Sequence, residues 1–285
     1  MTRGFAGFAR EEDVDLGLTL RLGLLAAPRL FGYDRDGIGP QFAARLGASL
    51  PSGFGYLEAA GGGVFTGGGL DSGSVQLAAT AVLKPQRHQV GIVHVEAGWL
   101  KNPVPGAEFD LGLGSGPRAF RSHAFTGDRS YFATAEYRVT VVEDFLGMIG
   151  LGFAGFVDHG GAWYSGSPRR TGWDAGLGLR LGASRSTDTE ALRFDLARRF
   201  GNDAQGPGWV ITVGKGFVFS SLGRVPLRAG GGASYRRVQE HPGQNHGHDD
   251  DENDQQGQRQ DRDPSPASGG RARETHVVLR SMVSA

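Results

Sequence analysis

The chain has 285 residues, 49 of them glycine and none cysteine, and its 30 basic and 30 acidic side chains leave no formal net charge. Without cysteine, disulfide scaffolds, thiolate metal sites and cysteine nucleophiles are excluded, and the charge balance provides no long-range attraction to nucleic acid. No run of about 18 apolar residues exists, which excludes a transmembrane helix.

The chain divides into two regions of different character, residues 1–219 and residues 220–285. The second region has little apolar periodicity, and its stretch from Gln239 to Arg273 is almost entirely polar. Such a composition buries too little apolar surface to offset the entropy of ordering, so we predict a disordered tail. An alternative is a transition-metal site on three histidines that stand beside a run of aspartates, His241, His246 and His248.

The first region alternates between apolar and polar residues, most clearly in Val14 to Leu22. A period of two indicates a β-strand with two unlike faces. Ten such segments of about 9–13 residues, long enough to cross a bilayer when tilted, follow in chain order: Val14–Leu22, Pro40–Leu50, Phe54–Phe65, Ser74–Leu83, Gln89–Trp99, Tyr131–Val141, Met148–Asp158, Trp173–Leu181, Leu192–Phe200 and Trp209–Phe219. Turn-forming residues separate them. We therefore predict an all-β, antiparallel fold.

The two faces of these strands differ in a way that favours a transmembrane β-barrel. In Met148–Asp158 one face carries residues such as Phe153 and Val157, and the opposite face carries Gly150 and Asp158. Aromatic residues also gather near strand ends, as in the interfacial girdles of membrane barrels: Trp99, Tyr131, Trp163, Tyr164, Trp173, Phe200, Trp209 and Phe219. A soluble β-sandwich is an alternative, but its strands are usually shorter and its inward face carries larger residues.

Residues 110–219 carry an ordered series of motifs. Asp110 to Phe120 is followed by Phe125 to Arg129, by Phe156 to Trp163, and finally by Val213 to Phe219. This order resembles the C-terminal half of the bacterial surface antigen barrels, the outer-membrane assembly factors and their two-partner-secretion relatives. The resemblance implies the C-terminal part of a sixteen-stranded barrel, of which about ten strands are present here.

The resemblance also implies a lock between a long extracellular loop and the barrel lumen. Arg118 would be the arginine at the loop tip, and Asp158 its partner on the wall. The other residues of this expected lock are Phe120, Glu136, Phe156 and Gly160. The alternation of side chains along Met148–Asp158 places Asp158 on the inward face without reference to the resemblance. An ordinary loop arginine is the alternative for Arg118.

One residue at the tip departs from the family pattern. Ala119 stands where the family has glycine after the arginine. If that glycine uses positive φ, alanine would fit poorly, so we expect the tip to differ there. Arg3, Gly4 and Phe5 spell the family signature outright, but about ten strands follow them, whereas about five follow the signature loop in the family.

The inward face of the last five strands has balanced charge. The charged positions are Glu136, Arg138, Asp158, Asp174, Arg180, Arg193, Asp195 and Arg199. A selective ion pore would favour one sign of charge. Four acids and four bases instead predict a network that braces the wall and the loop.

The last predicted strand resembles the signal that delivers outer-membrane barrels to their assembly machinery. Its residues on one face are Trp209, Ile211, Val213, Lys215, Phe217 and Phe219. Such a strand should end the protein, yet residues 220–285 follow. Two interpretations stay open: an appended tail, or a chain whose true end lies near Phe219.

The resemblance implies a non-enzymatic barrel of the bacterial outer membrane that assists the insertion, assembly or translocation of other proteins. Its expected partners are the lipid bilayer, client outer-membrane or secreted proteins, and accessory assembly proteins. We expect no cofactor, metal, nucleic acid or catalytic residues. A passive porin or transporter is the alternative. The start of the chain in mid-pattern, without a signal peptide, leads us to expect a fragment that lacks early strands and periplasmic domains.

Overall fold

A computed structural model of the chain describes residues 2–3, 8, 11–32, 35–183, 190–200, 208–219 and 222. Its main element is an antiparallel sheet of ten strands, whose spatial order follows the order along the chain. The strands are β1 (Leu18–Ala27), β2 (Gly37–Leu50), β3 (Gly53–Thr66), β4 (Gly69–Gln86), β5 (Gln89–Lys101), β6 (Arg129–Phe145), β7 (Ile149–Trp163), β8 (Gly172–Ala183), β9 (Leu192–Phe200) and β10 (Gly208–Lys215). The predicted all-β, antiparallel fold with ten strands is confirmed.

The sheet is open at its two outer strands. Within the described residues, β1 pairs only with β2, and β10 pairs only with β9. The short strands Thr2–Arg3 and Glu11–Glu12 form a separate pair, as do Phe109–Leu111 and Phe125–Gly127. The one helical turn in this part of the chain is a 3₁₀ turn at Arg29–Phe31. None of the helical structure described is long and apolar enough to span a membrane.

The first strand begins later than its alternation predicts. The expected strand Val14–Leu22 is wrong at its start, because the chain bends at Gly17 and β1 begins at Leu18. The carboxylate of Asp15 accepts a hydrogen bond from the backbone N–H of Gly17 at 2.8 Å. This is an Asx turn, which competes with strand pairing. Val14 therefore packs against a cluster of buried side chains instead of continuing the strand.

The last strand ends earlier than predicted. β10 stops at Lys215, and Gly216 adopts a left-handed backbone with φ of +68°, a conformation that glycine adopts readily. The prediction that Phe217 and Phe219 continue the face of Trp209 is therefore wrong. Both rings instead pack beside buried residues of the middle strands.

The sheet has an exposed face that is apolar and a buried face that is rich in charge. On β8, Leu177 is 72% exposed, whereas Asp174 is fully buried. On β7, Phe153 and Val157 lie on the exposed face, and Asp158 lies on the buried face. Charged side chains are almost never fully buried unless they are paired, so the buried face requires ion pairs. The side-chain alternation inferred from the sequence is thus present, with the glycine-rich and charged positions inward.

Chain segments outside the sheet cover its buried face. The most extensive is the lock loop, residues 102–128, which joins β5 to β6 and whose aromatic residues pack against both strands. Gly98 on β5 allows this approach, because a Cβ there would lie 2.4 Å from the ring of Phe109. We call the end of the sheet where the lock loop joins it the loop end.

Candidate functional site: a loop held on the buried face

The lock loop is shaped by its own short strands and by a small aromatic cluster. Phe109–Leu111 pairs with Phe125–Gly127, which closes the loop into a hairpin with a broad tip. Phe120, at the tip, packs its ring against Phe125 at 5.0 Å between centroids. Phe109, Phe120, Phe125 and Phe132 of β6 belong to one buried cluster. Burial of several aromatic rings supplies much of the hydrophobic stabilisation of the docked loop.

Polar contacts fix the base of the lock loop to the neighbouring β7–β8 turn. Asp128 accepts a hydrogen bond from the backbone N–H of Ser165 at 2.7 Å. Tyr164 donates its hydroxyl hydrogen to Glu108. Within the loop, His123 lies 2.5 Å from Asp110. These contacts hold the two ends of the loop, so the tip can reach across the buried face in one position.

Arg118 at the tip is buried against three carboxylates. Its side chain, 2% exposed, donates from Nε to Asp158 at 2.8 Å and from Nη2 to the second oxygen of Asp158 at 3.2 Å. Its Nη1 donates to Glu136 at 2.9 Å and to Asp195 at 3.2 Å. The contact with Asp158 is bidentate, the geometry in which arginine binds carboxylates most strongly. The arginine thus joins the loop to β6, β7 and β9.

Two further groups complete the surroundings of the Arg118 guanidinium. Thr134 accepts a hydrogen bond from Nη2 at 3.3 Å and donates its own hydroxyl hydrogen to Asp158 at 2.6 Å. The ring of Phe156 lies 3.6 Å from the guanidinium carbon, a cation–π contact. Burial by itself lowers the pKa of Arg118, but the charges of Asp158, Glu136 and Asp195 outweigh it, so that this pKa is raised above the usual arginine value.

Three arginines on strands β6, β8 and β9 extend this ion-pair network. Arg138 contacts Glu136 at 2.5 Å, and Arg180 bridges Glu136 at 3.0 Å and Asp195 at 2.5 Å. Arg193 lies 3.1 Å from Asp195. Glu136 and Asp195 therefore each have arginine partners from the strands in addition to Arg118. Asp158 has Arg118 as its arginine partner, together with the hydroxyl of Thr134.

Ala119 is accommodated without a glycine-type backbone. It is not among the described residues with positive φ, so the misfit expected from the alanine does not arise. Its N–H donates to Asp174 at 2.9 Å, and its carbonyl accepts from Arg199 at 2.7 Å. Both backbone groups of this buried residue are therefore satisfied by side chains of the wall, as buried polar groups require.

The structure brings most of the predicted lock residues together. Arg118, Glu136, Phe156 and Asp158 are in direct contact, and Phe120 lies in the aromatic cluster beside them. Gly160 does not take part in the hydrogen bonds of Arg118. It lies next to β6, where an added Cβ would approach a backbone carbonyl to 2.8 Å.

Sequence reasoning did not assign Asp195 and Thr134 as direct partners of Arg118. Both residues lie at inward-facing positions of strands that also carry charged residues at inward-facing positions. This alternation was the signal in the sequence that could have indicated their role. Their contact with one loop arginine depends on how the sheet curves, which the alternation of side chains does not encode.

The residues of the predicted assembly signal separate into two groups. Trp209, Ile211 and Val213 lie on the exposed face, together with Lys215 at the strand end. The last two turn inward, where the ring of Phe219 stacks on His94 with 3.8 Å between centroids and Arg138 lies 4.5 Å from the ring of Phe217. The signal as one continuous strand face is not present in the structure.

No group of three or more histidine, aspartate or glutamate side chains in the described ranges is arranged to hold a metal ion. Apart from Leu222, the expected disordered tail, with His241, His246 and His248, lies outside the described residues. Comparison with known proteins found no family model and no curated protein that matches this chain.

Proposed function

We propose that residues 1–219 form part of an outer-membrane β-barrel of the surface antigen type, which assists the insertion or translocation of other proteins. The observation that carries this proposal is the buried Arg118, held by Asp158, Glu136 and Asp195 at the end of a loop that lies on the inward face of the sheet. A loop fixed in this way distinguishes the chain from a barrel with an empty lumen.

The exposed face supports placement in a membrane. Leu22, Leu24, Leu177 and Ile211 are each more than two-thirds exposed and face away from the charged side. The strands are 8 to 18 residues long. A tilted strand needs about 9–11 residues to cross a bilayer, and this length falls within that range. Lipid would cover this apolar surface, so the sheet needs no hydrophobic core on that side.

The open edges support a role in handling other strands. In lipid, each unpaired backbone group costs several kcal/mol, so β1 and β10 need pairing partners in the membrane. These partners are each other, further strands, or a strand of a client protein added by β-augmentation. The interior supports protein handling over passive conduction, because the lock loop and residues 216–219 occupy the buried face and the charges there are balanced.

The proposal is tested by reconstituting the full chain in phosphatidylcholine vesicles and adding a urea-unfolded outer-membrane barrel as client. Insertion of the client is followed by its heat-dependent mobility on gels. We expect faster insertion than into empty vesicles, a loss of this acceleration in Arg118→Met, and no loss in Arg121→Met, which changes an exposed arginine of the same loop. Equal client insertion in loaded and empty vesicles would overturn the proposal. If the loaded vesicles then conduct ions, the passive porin is favoured.

A further inference from the structure

An aromatic belt lies across the loop end of strands β5 to β10 on the exposed face. It contains all four tryptophans of the chain, with a tyrosine and a phenylalanine from the strands between them: Trp99, Tyr131, Trp163, Trp173, Phe200 and Trp209. The strand register places these residues side by side. Trp99 and Trp163 both lie opposite Arg129 of β6, and Trp173 lies opposite Phe200. We call these six residues the outer belt.

Two arginines stand on the outer belt in an unusual environment. Arg198 lies on the exposed face of β9, 5.4 Å from the ring of Phe200 and 5.7 Å from that of Trp209. Arg169, in the β7–β8 turn, lies 5.5 Å from the ring of Trp163. Both are exposed, and among the described residues neither has an ion pair with a carboxylate. The inward arginines differ, because Arg118, Arg138, Arg180 and Arg193 each contact Glu136, Asp158 or Asp195.

A guanidinium on an apolar face needs an anionic partner or water. The aromatic rings contact both arginines by cation–π interactions, and within the described ranges no protein group accepts a hydrogen bond from their N–H donors. Arginine presents these donors in a planar fork that matches phosphate oxygens. Below Arg198 on the same face, Leu177, Leu196 and Ile211 are exposed and lie next to one another in strand register. A cation above an apolar strip matches a lipid whose charged headgroup lies above its acyl chains.

We propose that the outer belt binds anionic phosphorylated lipid headgroups, one at Arg198 between Phe200 and Trp209, and another at Arg169 over Trp163. The acyl chains of the first lipid lie along Leu177, Leu196 and Ile211. This inference rests on the proposed placement of the sheet in a membrane, and it adds a specific lipid class and the residues that select it.

The four tryptophans make the outer belt directly measurable. The full chain is reconstituted in vesicles that contain either dibrominated phosphatidylcholine or dibrominated phosphatidylglycerol in an unlabelled phosphatidylcholine background. Bromine on the acyl chains quenches tryptophan only at close range, so the two titrations give the relative binding constant of the anionic lipid at the belt. The probe is phosphatidylglycerol, compared with phosphatidylcholine, which also has a phosphate but no net charge.

We expect a preference for phosphatidylglycerol of about fivefold per arginine, since one basic residue near an anionic membrane surface contributes about that factor. Arg198→Gln and Arg169→Gln each reduce the preference, and the double variant brings the ratio close to one. Lys215→Gln, a charge removal on the same face of β10 but away from the belt, leaves the ratio unchanged. Raised salt lowers the preference in the wild-type chain but not in the double variant.

Three outcomes overturn the proposal and can be told apart. Equal quenching by both brominated lipids means that the belt does not select anionic headgroups although the protein is in the membrane. An undiminished preference in the double variant means that Arg169 and Arg198 do not provide the selection. Absence of quenching by either lipid means that the membrane placement itself is wrong, and the proposed function fails with it.

Discussion

Replacing Arg118 with methionine keeps most of the length of the side chain but removes the charge that joins the lock loop to the wall. Glu136 keeps Arg138 and Arg180 as partners after this change. Asp158 loses two hydrogen bonds from the guanidinium, at 2.8 and 3.2 Å, and retains the Thr134 hydroxyl, a backbone contact of 3.3 Å and its side-chain contact with Asp174. The variant therefore leaves one fully buried carboxylate without a cation.

Breaking a buried ion pair by removing one partner costs about 3–5 kcal/mol. This free energy is lost from the docked state of the loop, so the undocked population rises by between about two and four orders of magnitude. Hydrogen exchange measures this directly, because the N–H of Ala119 is protected by Asp174 only while the loop is docked. We expect Arg118→Met to accelerate exchange across residues 109–127 and to leave the middle of β7 unchanged.

Two further variants separate loss of charge from general damage. Arg121→Met removes an exposed arginine of the same loop and should leave exchange unchanged. Arg118→Met combined with Asp158→Leu removes both charges, and we expect it to recover much of the lost protection because no unpaired carboxylate stays buried. Equal exchange rates in Arg118→Met and Arg121→Met would refute the view that the ion pair holds the loop.

Two more predictions concern the packing of the buried face. Gly172→Val places a Cβ 2.2 Å from the ring of Phe120, so we expect urea titrations to show a destabilisation of about 1–3 kcal/mol. Gly155→Ala should be tolerated, because its Cβ would lie at an ordinary 3.7 Å from its neighbour. Equal unfolding midpoints for the two variants would contradict the close packing at Gly172. Phe219→Ala removes the ring stacked on His94, and we expect a loss of roughly 1–3 kcal/mol because the ring is partly buried; an unchanged urea midpoint would show that residues 216–219 do not stabilise the fold.

The alternation of side chains predicted the strands well because this sheet has unlike faces along its whole length. It was less successful where glycine interrupts the pattern. The prediction ended one strand at Asp158, but β7 continues to Trp163 through Gly160 and Gly161. Gly161 serves close packing within a strand, since a Cβ there would lie 2.0 Å from the backbone oxygen of Arg170. A glycine of this kind cannot be distinguished from a turn residue by periodicity alone.

The lock could be predicted only in part for a different reason. Alternation placed Glu136, Asp158 and Asp195 inward, which the structure bears out. The pairing of Asp158 with an arginine 40 positions earlier came from a resemblance, because no local rule joins residues so far apart. The sequence did not indicate that Phe217 and Phe219 turn inward, because both continue the alternate apolar positions of β10. The left-handed Gly216 changes their direction, and glycine is too frequent in this chain to serve as a signal.

Site-directed spin labelling shows whether the exposed apolar face contacts lipid. The sequence contains no cysteine, so single labels can be introduced at Phe153 and Leu177 on the exposed face, at Ala154 on the buried face and at Ser167 in the exposed β7–β8 turn. The full chain is reconstituted in vesicles, and the collision rates of each label with oxygen and with a water-soluble nickel chelate are compared. We predict high oxygen and low nickel accessibility at Phe153 and Leu177, low accessibility to both at Ala154, and high nickel accessibility at Ser167. Nickel accessibility at Phe153 and Leu177 equal to that at Ser167 would show that the exposed face lies in water and not in lipid.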